Sequence, residues 1–135
     1  MTAGHGVPAI VAQGRVVAQA AAVASIAAYT VGAQDASFEV SANVLVTTAT
    51  THSFTLTCDY TDEGNTARTL TLTFGLVAGG VATTAIANGN STVPYHGVPV
   101  TIRCKAAPSI TIASAAGGTY TTVVYNAEAA IKRIA

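Results

Sequence analysis

The chain has 135 residues, enough for one domain with a substantial buried core. Half of the residues are hydrophobic, only 9% are charged, and the six basic and six acidic side chains cancel. Such a chain lacks the basic surface that nucleic-acid binding requires, so we expect no nucleic-acid partner. A net charge near zero also favours association, which indicates a homo-oligomer; the alternative is a monomer with a surface rich in Thr and Ser.

Residues 1–26 mix Gly, Pro, Ala, Val and Gln without a clean period. Ala favours a helix over residues 15–28, but no stripe of large apolar side chains would give that helix a buried face. We therefore predict an extended N-terminal arm, 1–26, ahead of a domain at 27–135. The arm cannot form a core alone, so we expect a neighbouring subunit or a capsid to cover and order it. The candidate interface residues are Val7, Ile10, Val11, Val16, Val17 and Val23.

No membrane span is predicted, because no run of about 18 strongly apolar residues exists. The nearest candidate, residues 16–28, could serve as the apolar part of a secretory signal, since Arg15 precedes it. Gln19 and Ser25 interrupt this stretch. The segment before it is long and contains Gly and Pro, which does not suit the start of a signal. We therefore favour the arm over a cleaved signal.

From Ile26 onward the hydrophobic period is two, which is typical of strands with one buried face. "SFEVSANVLV" alternates in this way, and so do "FTLTCDY" and "RTLTLTF", which flank the turn sequence "TDEGNT". These last segments predict a hairpin over residues 53–74 with Thr on its outer face. Later segments show the same alternation, and Pro99 is predicted to lie at a strand start or at a sheet edge.

Seven or eight short strands predict an all-β fold: an antiparallel β-sandwich or barrel, for which we favour the sandwich. The residues that share inward parity, and so form the predicted core, are Phe38, Val40, Val44, Phe54, Leu56, Leu70, Leu72, Phe74, Val100 and Ile102. Cys58 and Cys104 share that parity, so we expect both to be buried thiols. A disulfide needs the two strands to face each other, and assembly in the cytosol would keep the thiols reduced.

Residues able to perform catalysis or bind metal are scattered. His5, His52 and His96 have no partners at ligand spacing, and "DYTDEGN" begins like a calcium loop but places Leu70 where a bidentate Glu is needed. No nucleophile elbow or phosphate-binding loop is present in the sequence. We expect neither an enzyme, nor a cofactor, nor a metal site.

Arg103 and Lys105 project from one face of a predicted strand. They are either solvated charges at a rim or contacts to an acidic neighbouring subunit, and we include both among the candidate interface residues.

The segments "YTVGAQDASFEVSANVLVTTATTHSFTLTCDYTDEGNTARTLTLTF", "PYHGVPVTIRCKA" and "YTTVVYNAEAAIKRI" together resemble small virion-associated proteins of tailed bacteriophages and prophages. The resemblance spans roughly residues 26–134. It implies a compact β-sandwich of jelly-roll type, commonly a trimer, attached to the major capsid protein or other virion proteins. The virion would assemble in the cytoplasm of the host bacterium.

Two functions are compatible with this resemblance. The first is a capsid decoration or cementing subunit that stabilises the head by burying surface between subunits. The alternative is a fibre or receptor-binding module that recognises a host glycan. A glycan site usually displays aromatic side chains on loops, and among the five Tyr residues only Tyr95 is predicted to lie in one.

Overall fold

Every regular element of the described chain is a β-strand. The computed structural model describes residues 9–48, 53–76, 83–84, 86–87, 94–116 and 124–135. The strands are β1 (Ala9–Gln19), β2 (Ala27–Thr30), β3 (Ala36–Thr48), β4 (Ser53–Thr61), β5 (Ala67–Thr71), β6 (Phe74–Leu76), β7 (Ile86–Ala87), β8 (Pro94–Gly97), β9 (Val100–Cys104), β10 (Ser109–Ala116) and β11 (Val124–Arg133). The predicted all-β class is confirmed.

The strands form two antiparallel sheets. Sheet A has the order β1-β11-β3-β8-β6, and β9 pairs with β3 beyond the end of β8. Sheet B has the order β2-β10-β4-β5, and β7 pairs with β4 beyond the end of β5. The predicted antiparallel sandwich is therefore confirmed, while its finer jelly-roll connectivity stays a prediction.

The core lies between the sheets because alternate residues of each strand face inward. The ring of Phe54 in sheet B stacks on Tyr125 in sheet A, with centroids 4.5 Å apart. Tyr29 meets Phe38 in a tilted contact at 5.6 Å. Of the ten residues predicted for the core, eight are buried, and Leu70 and Val100 are half-buried against it.

The hairpin predicted at residues 53–74 exists, but it is shorter than its hydrophobic pattern. β4 and β5 pair from Thr57↔Thr71 to Thr61↔Ala67. The strand prediction was wrong beyond Thr71, because Phe74 belongs to β6 in the other sheet and pairs with Gly97. Leu72 keeps its inward parity while the chain passes between the sheets, so the pattern of burial survives the change of sheet.

Residues 9–19 of the N-terminal arm form an extended strand, as predicted, and this strand pairs within its own chain. β1 pairs with β11 from Ala9↔Arg133 to Gln19↔Tyr125 and forms one edge of sheet A. Cover of residues 9–19 by another molecule stays a prediction, because β11 satisfies only one side of the strand. A side chain at Gly14 would collide with the carbonyl oxygen of Ile26, so glycine permits this close approach.

The segment between β1 and β2 crosses from sheet A to sheet B and is fastened by a buried hydrogen-bond network. Tyr125 donates its hydroxyl proton to the carbonyl oxygen of Ala21 at 2.7 Å. Ser114 Oγ lies 2.8 Å from that hydroxyl and accepts the backbone N–H of Val23 at 2.7 Å. Because the tyrosine proton goes to Ala21, the Ser114 hydroxyl donates to the tyrosine oxygen. Residues 21–26 are thus built into the sandwich.

Tyr95 lies in β8 and is buried, so its predicted place in a loop was wrong. Its strand pairs with β3 from Asn43↔His96 to Leu45↔Pro94. Pro99 directly precedes β9, in agreement with its predicted place at a strand start.

Candidate functional site

The candidate interface residues of the arm divide into two groups. Ile10 and Val17 lie on β1 with 60% and 52% of their surfaces exposed. Val11, Val16 and Val23 are half-buried and pack against the core. Val7 lies outside the described residues. Only the first group can offer apolar surface to a partner.

β1 is also a long sheet edge. It has 11 residues, only one of them charged (Arg15), and β11 is its sole strand partner among the described elements. Register shifts near Val11 and Ala18 interrupt its pairing with β11, and Ala18 adopts a positive φ of 55°. The regular part of the edge therefore runs from Ala12 to Val16. A sheet edge with so little charge is a surface on which another strand can add.

Arg103 is engaged within its own chain. Its Nε atom lies 3.0 Å from a carboxylate oxygen of Glu63, and another guanidinium nitrogen donates to Ser37 Oγ at 3.2 Å. The side chain of Lys105 has no such partner among the described residues, while its backbone N–H donates to Thr61. Contact of either residue with an acidic neighbouring subunit stays a prediction.

The turn between β4 and β5 is held by Asp62. One carboxylate oxygen accepts the backbone N–H of Thr66 at 2.9 Å, and the other pairs with Arg68 at 2.7 Å. The hydrogen bond from Arg68 holds the pKa of this carboxyl below its ordinary value, and the Thr66 N–H adds to the effect. Asn65 adopts the positive φ that the tight turn needs. These contacts give the acidic sequence "TDEGNT" a structural role.

Both cysteines are buried free thiols, as the strand parity predicted. Burial raises the pKa of Cys58 to about 12, with a further contribution from Cys104. Burial likewise raises the pKa of Cys104 to about 11. At neutral pH both thiols stay protonated, so neither has the thiolate character of a nucleophile.

The outer face of sheet A carries a polar groove, which we define by Gln13, Arg15, Ser41, Asn43, His96 and Glu128. Four of these residues are directly opposite one another across four strands, in the order Arg15, Glu128, Asn43, His96. The groove comprises two adjoining hollows of about 410 Å³ and 300 Å³, which share Arg15, Asn43 and Glu128.

His5 and His52 lie outside the described residues, and His96 is exposed in the polar groove. Among the residues that the structure describes, no three His, Cys, Asp or Glu side chains are grouped to hold a metal ion. The same part of the chain has no helix long and apolar enough to cross a membrane.

Comparison with known proteins places the chain in no family. No protein-family model matches it, and no curated protein matches it. One solved structure with a similar course of the chain is that of the Clostridium thermocellum N-terminal endo-1,4-beta-D-xylanase 10B CBM22-1-GH10 modules, complexed with xylohexaose. The identity is 12% and the TM-score 0.36, over 81% of this chain and 19% of that one. At this level the likeness carries no functional argument.

The polar groove could not be predicted from the sequence. Ser41 and Asn43 were correctly placed on the outer face of their strand, but alternation within one strand does not reveal which residues lie opposite on its neighbours. The end of β1 at Gln19 and the start of β11 at Val124 are separated by 104 intervening residues, and the two strands meet only by pairing in the sheet. The groove therefore depends on long-range register.

Proposed function

We propose that the protein is a structural virion subunit of a tailed bacteriophage. In this proposal it is a capsid decoration or cementing protein of jelly-roll type that forms trimers, contacts the major capsid protein, and is incorporated in the host cytoplasm. The observation that carries the proposal is the edge strand β1, which exposes Ile10 and Val17 and has Arg15 as its one charged residue.

Surface burial is the mechanism of such a subunit. The sheet edge offers backbone hydrogen-bonding groups, and Ile10 and Val17 offer apolar area that association would remove from water. The outer face of sheet B is rich in threonine: Thr57 lies opposite Thr71, and Thr69 donates a hydrogen bond to Asp59 at 2.7 Å. A β-branched surface of this kind can pack against a protein partner without burying many charges.

The test is incorporation into particles of the phage that encodes the chain. We expect a copy number comparable with that of the major capsid protein, measured by quantitative mass spectrometry of purified particles. Particles lacking the protein should bind it when it is added back. The double variant Ile10→Asp, Val17→Asp should lose this binding, because burying two carboxylates is costly.

The matched control is Val98→Asp, which places a carboxylate at another exposed apolar residue, away from β1. It should bind particles like the unaltered protein. Absence from particles would refute the virion proposal, a count of a few copies per particle would favour a fibre, and full binding by the double variant would show that β1 is not the contact.

The alternative function, a fibre or receptor-binding module for a host glycan, has different support. The described tyrosines do not form an exposed aromatic platform, because Tyr95 and Tyr125 are buried and Tyr29 and Tyr60 are half-buried against the core. The polar groove is the observation that favours glycan recognition, so we place this function second.

A further inference from the structure

We propose that the polar groove on sheet A binds a neutral oligosaccharide. This inference shares its ligand class with the second candidate function, and its test uses the isolated protein rather than particles. It rests on the unused hydrogen-bonding groups of the groove, on two fixed amides, on the balance of charge and on the length of the hollow.

Several polar side chains of the groove have no partner within the described part of the chain. The side chains of Gln13, Arg15, Ser41, His96 and Glu128 make no hydrogen bond or ion pair with any residue in the described part of the chain. Together they present both donors and acceptors in two adjacent rows across the sheet. A sugar hydroxyl donates and accepts at once, so a chain of sugars is the ligand that uses both kinds of group.

Two amides are held in a fixed orientation at the groove. Asn43 Oδ1 accepts the backbone N–H of Gly97 at 3.1 Å, and Asn126 Oδ1 accepts that of Ala18 at 2.8 Å. Because a backbone N–H can only donate, each amide oxygen must face it, which leaves each NH₂ group pointing away. These donors are oriented before any ligand arrives, so binding loses less side-chain entropy.

The charge of the groove is balanced. Arg15 lies directly opposite Glu128, and beyond the groove on the same face Lys132 lies opposite Glu39. A ligand carrying a net charge would meet both signs and gain little. Neutral hydroxyl groups, in contrast, can accept from Arg15 and donate to Glu128, and such charge-assisted hydrogen bonds are the stronger ones.

The shape of the groove indicates a chain of sugars. The two hollows adjoin and extend across the strands from β1 to β8. Ordinary ligand pockets have volumes of about 300–1,000 Å³; the larger hollow lies within this range and the smaller one at its lower limit. At the β8 end the lining includes Leu45, which is 37% exposed, and Pro94. These apolar side chains can contact the C–H face of a sugar ring.

The experiment uses the full chain labelled with ¹⁵N and a panel of neutral linear hexasaccharides built from glucose, mannose, galactose, xylose or N-acetylglucosamine. We expect at least one to shift the amide signals of residues 13–15, 41–43, 96 and 128 in a saturable way. Glu128→Ala should weaken that binding about tenfold or more, the effect of losing a hydrogen bond to a charged group. Glu128→Gln should retain part of it.

The matched control is Thr111→Ala, which removes a hydroxyl from the outer face of sheet B. It should bind the same sugar with unchanged affinity, and an unchanged spectrum away from residue 128 would show that Glu128→Ala still folds. The proposal is overturned if no hexasaccharide shifts the spectrum, if the shifts map to another surface, or if only a charged oligosaccharide binds. Binding of Glu128→Ala to particles should be normal, so a failure here leaves the virion proposal standing.

Discussion

Leu70 and Leu72 have the same parity in the sequence but different surroundings in the fold. Leu72 is fully buried where the chain crosses from sheet B to sheet A, and its backbone N–H donates to Leu56 at 2.9 Å. Leu70 ends up half-buried at the edge strand β5. Alternation therefore identified the inward side for both residues, while position in the sheet determined how much surface each one buries.

This difference gives a matched pair of substitutions. Leu72→Ala should lower the free energy of unfolding by about 2–5 kcal/mol, because it removes buried methyl groups and leaves a cavity. Leu70→Ala should cost clearly less, since part of its side chain already contacts water. Urea unfolding followed by circular dichroism measures both. Equal losses for the two variants would contradict the burial described here.

At the scale of elements, the pairing of strands could be predicted only where the partner is close along the chain. β4 and β5 are joined by a turn with Asp, Gly and Asn in it, so their pairing could be predicted from local signals. β1 gave no such signal: its residues are mostly Ala, Val and Gln, and its partner β11 lies at the other end of the chain. The polar groove takes residues from β1 and β11 as well as from β3. The sequence therefore predicted only that its β3 residues, Ser41 and Asn43, face outward.

The edge position of β1 leads to a revised prediction for the N-terminus. Deleting residues 1–19 should lower the melting temperature, because it exposes the edge of β11 and the core surface beneath Val11 and Val16. Deleting residues 1–8 leaves β1 intact and serves as the control. Calorimetry of both chains measures the effect. If the longer deletion melts like the control, β1 adds nothing to the stability of the sandwich.

At the scale of the whole molecule, few charges are available for association. The net charge is zero with six residues of each sign, and the two ion pairs found in the described chain, Asp62–Arg68 and Glu63–Arg103, both lie near the turn after β4. Exposed pairs of this kind contribute little to stability, because water and salt screen the attraction between their charges. The sandwich is therefore held by its core and backbone pairing, and any self-association should draw on uncharged surface.

The final prediction follows from that distribution. If the chain assembles through β1, its oligomer should persist when salt is raised from about 0.1 M to about 1 M, because screening weakens charge contacts but leaves apolar burial intact. Sedimentation velocity at the two salt concentrations measures this, with Ile10→Asp, Val17→Asp expected to sediment as a monomer and Val98→Asp as the oligomer. Dissociation by salt would instead assign the contact to charged residues, foremost Arg103 and Lys105. A monomer under both conditions would refute self-association and leave the capsid or another virion protein as the partner of β1.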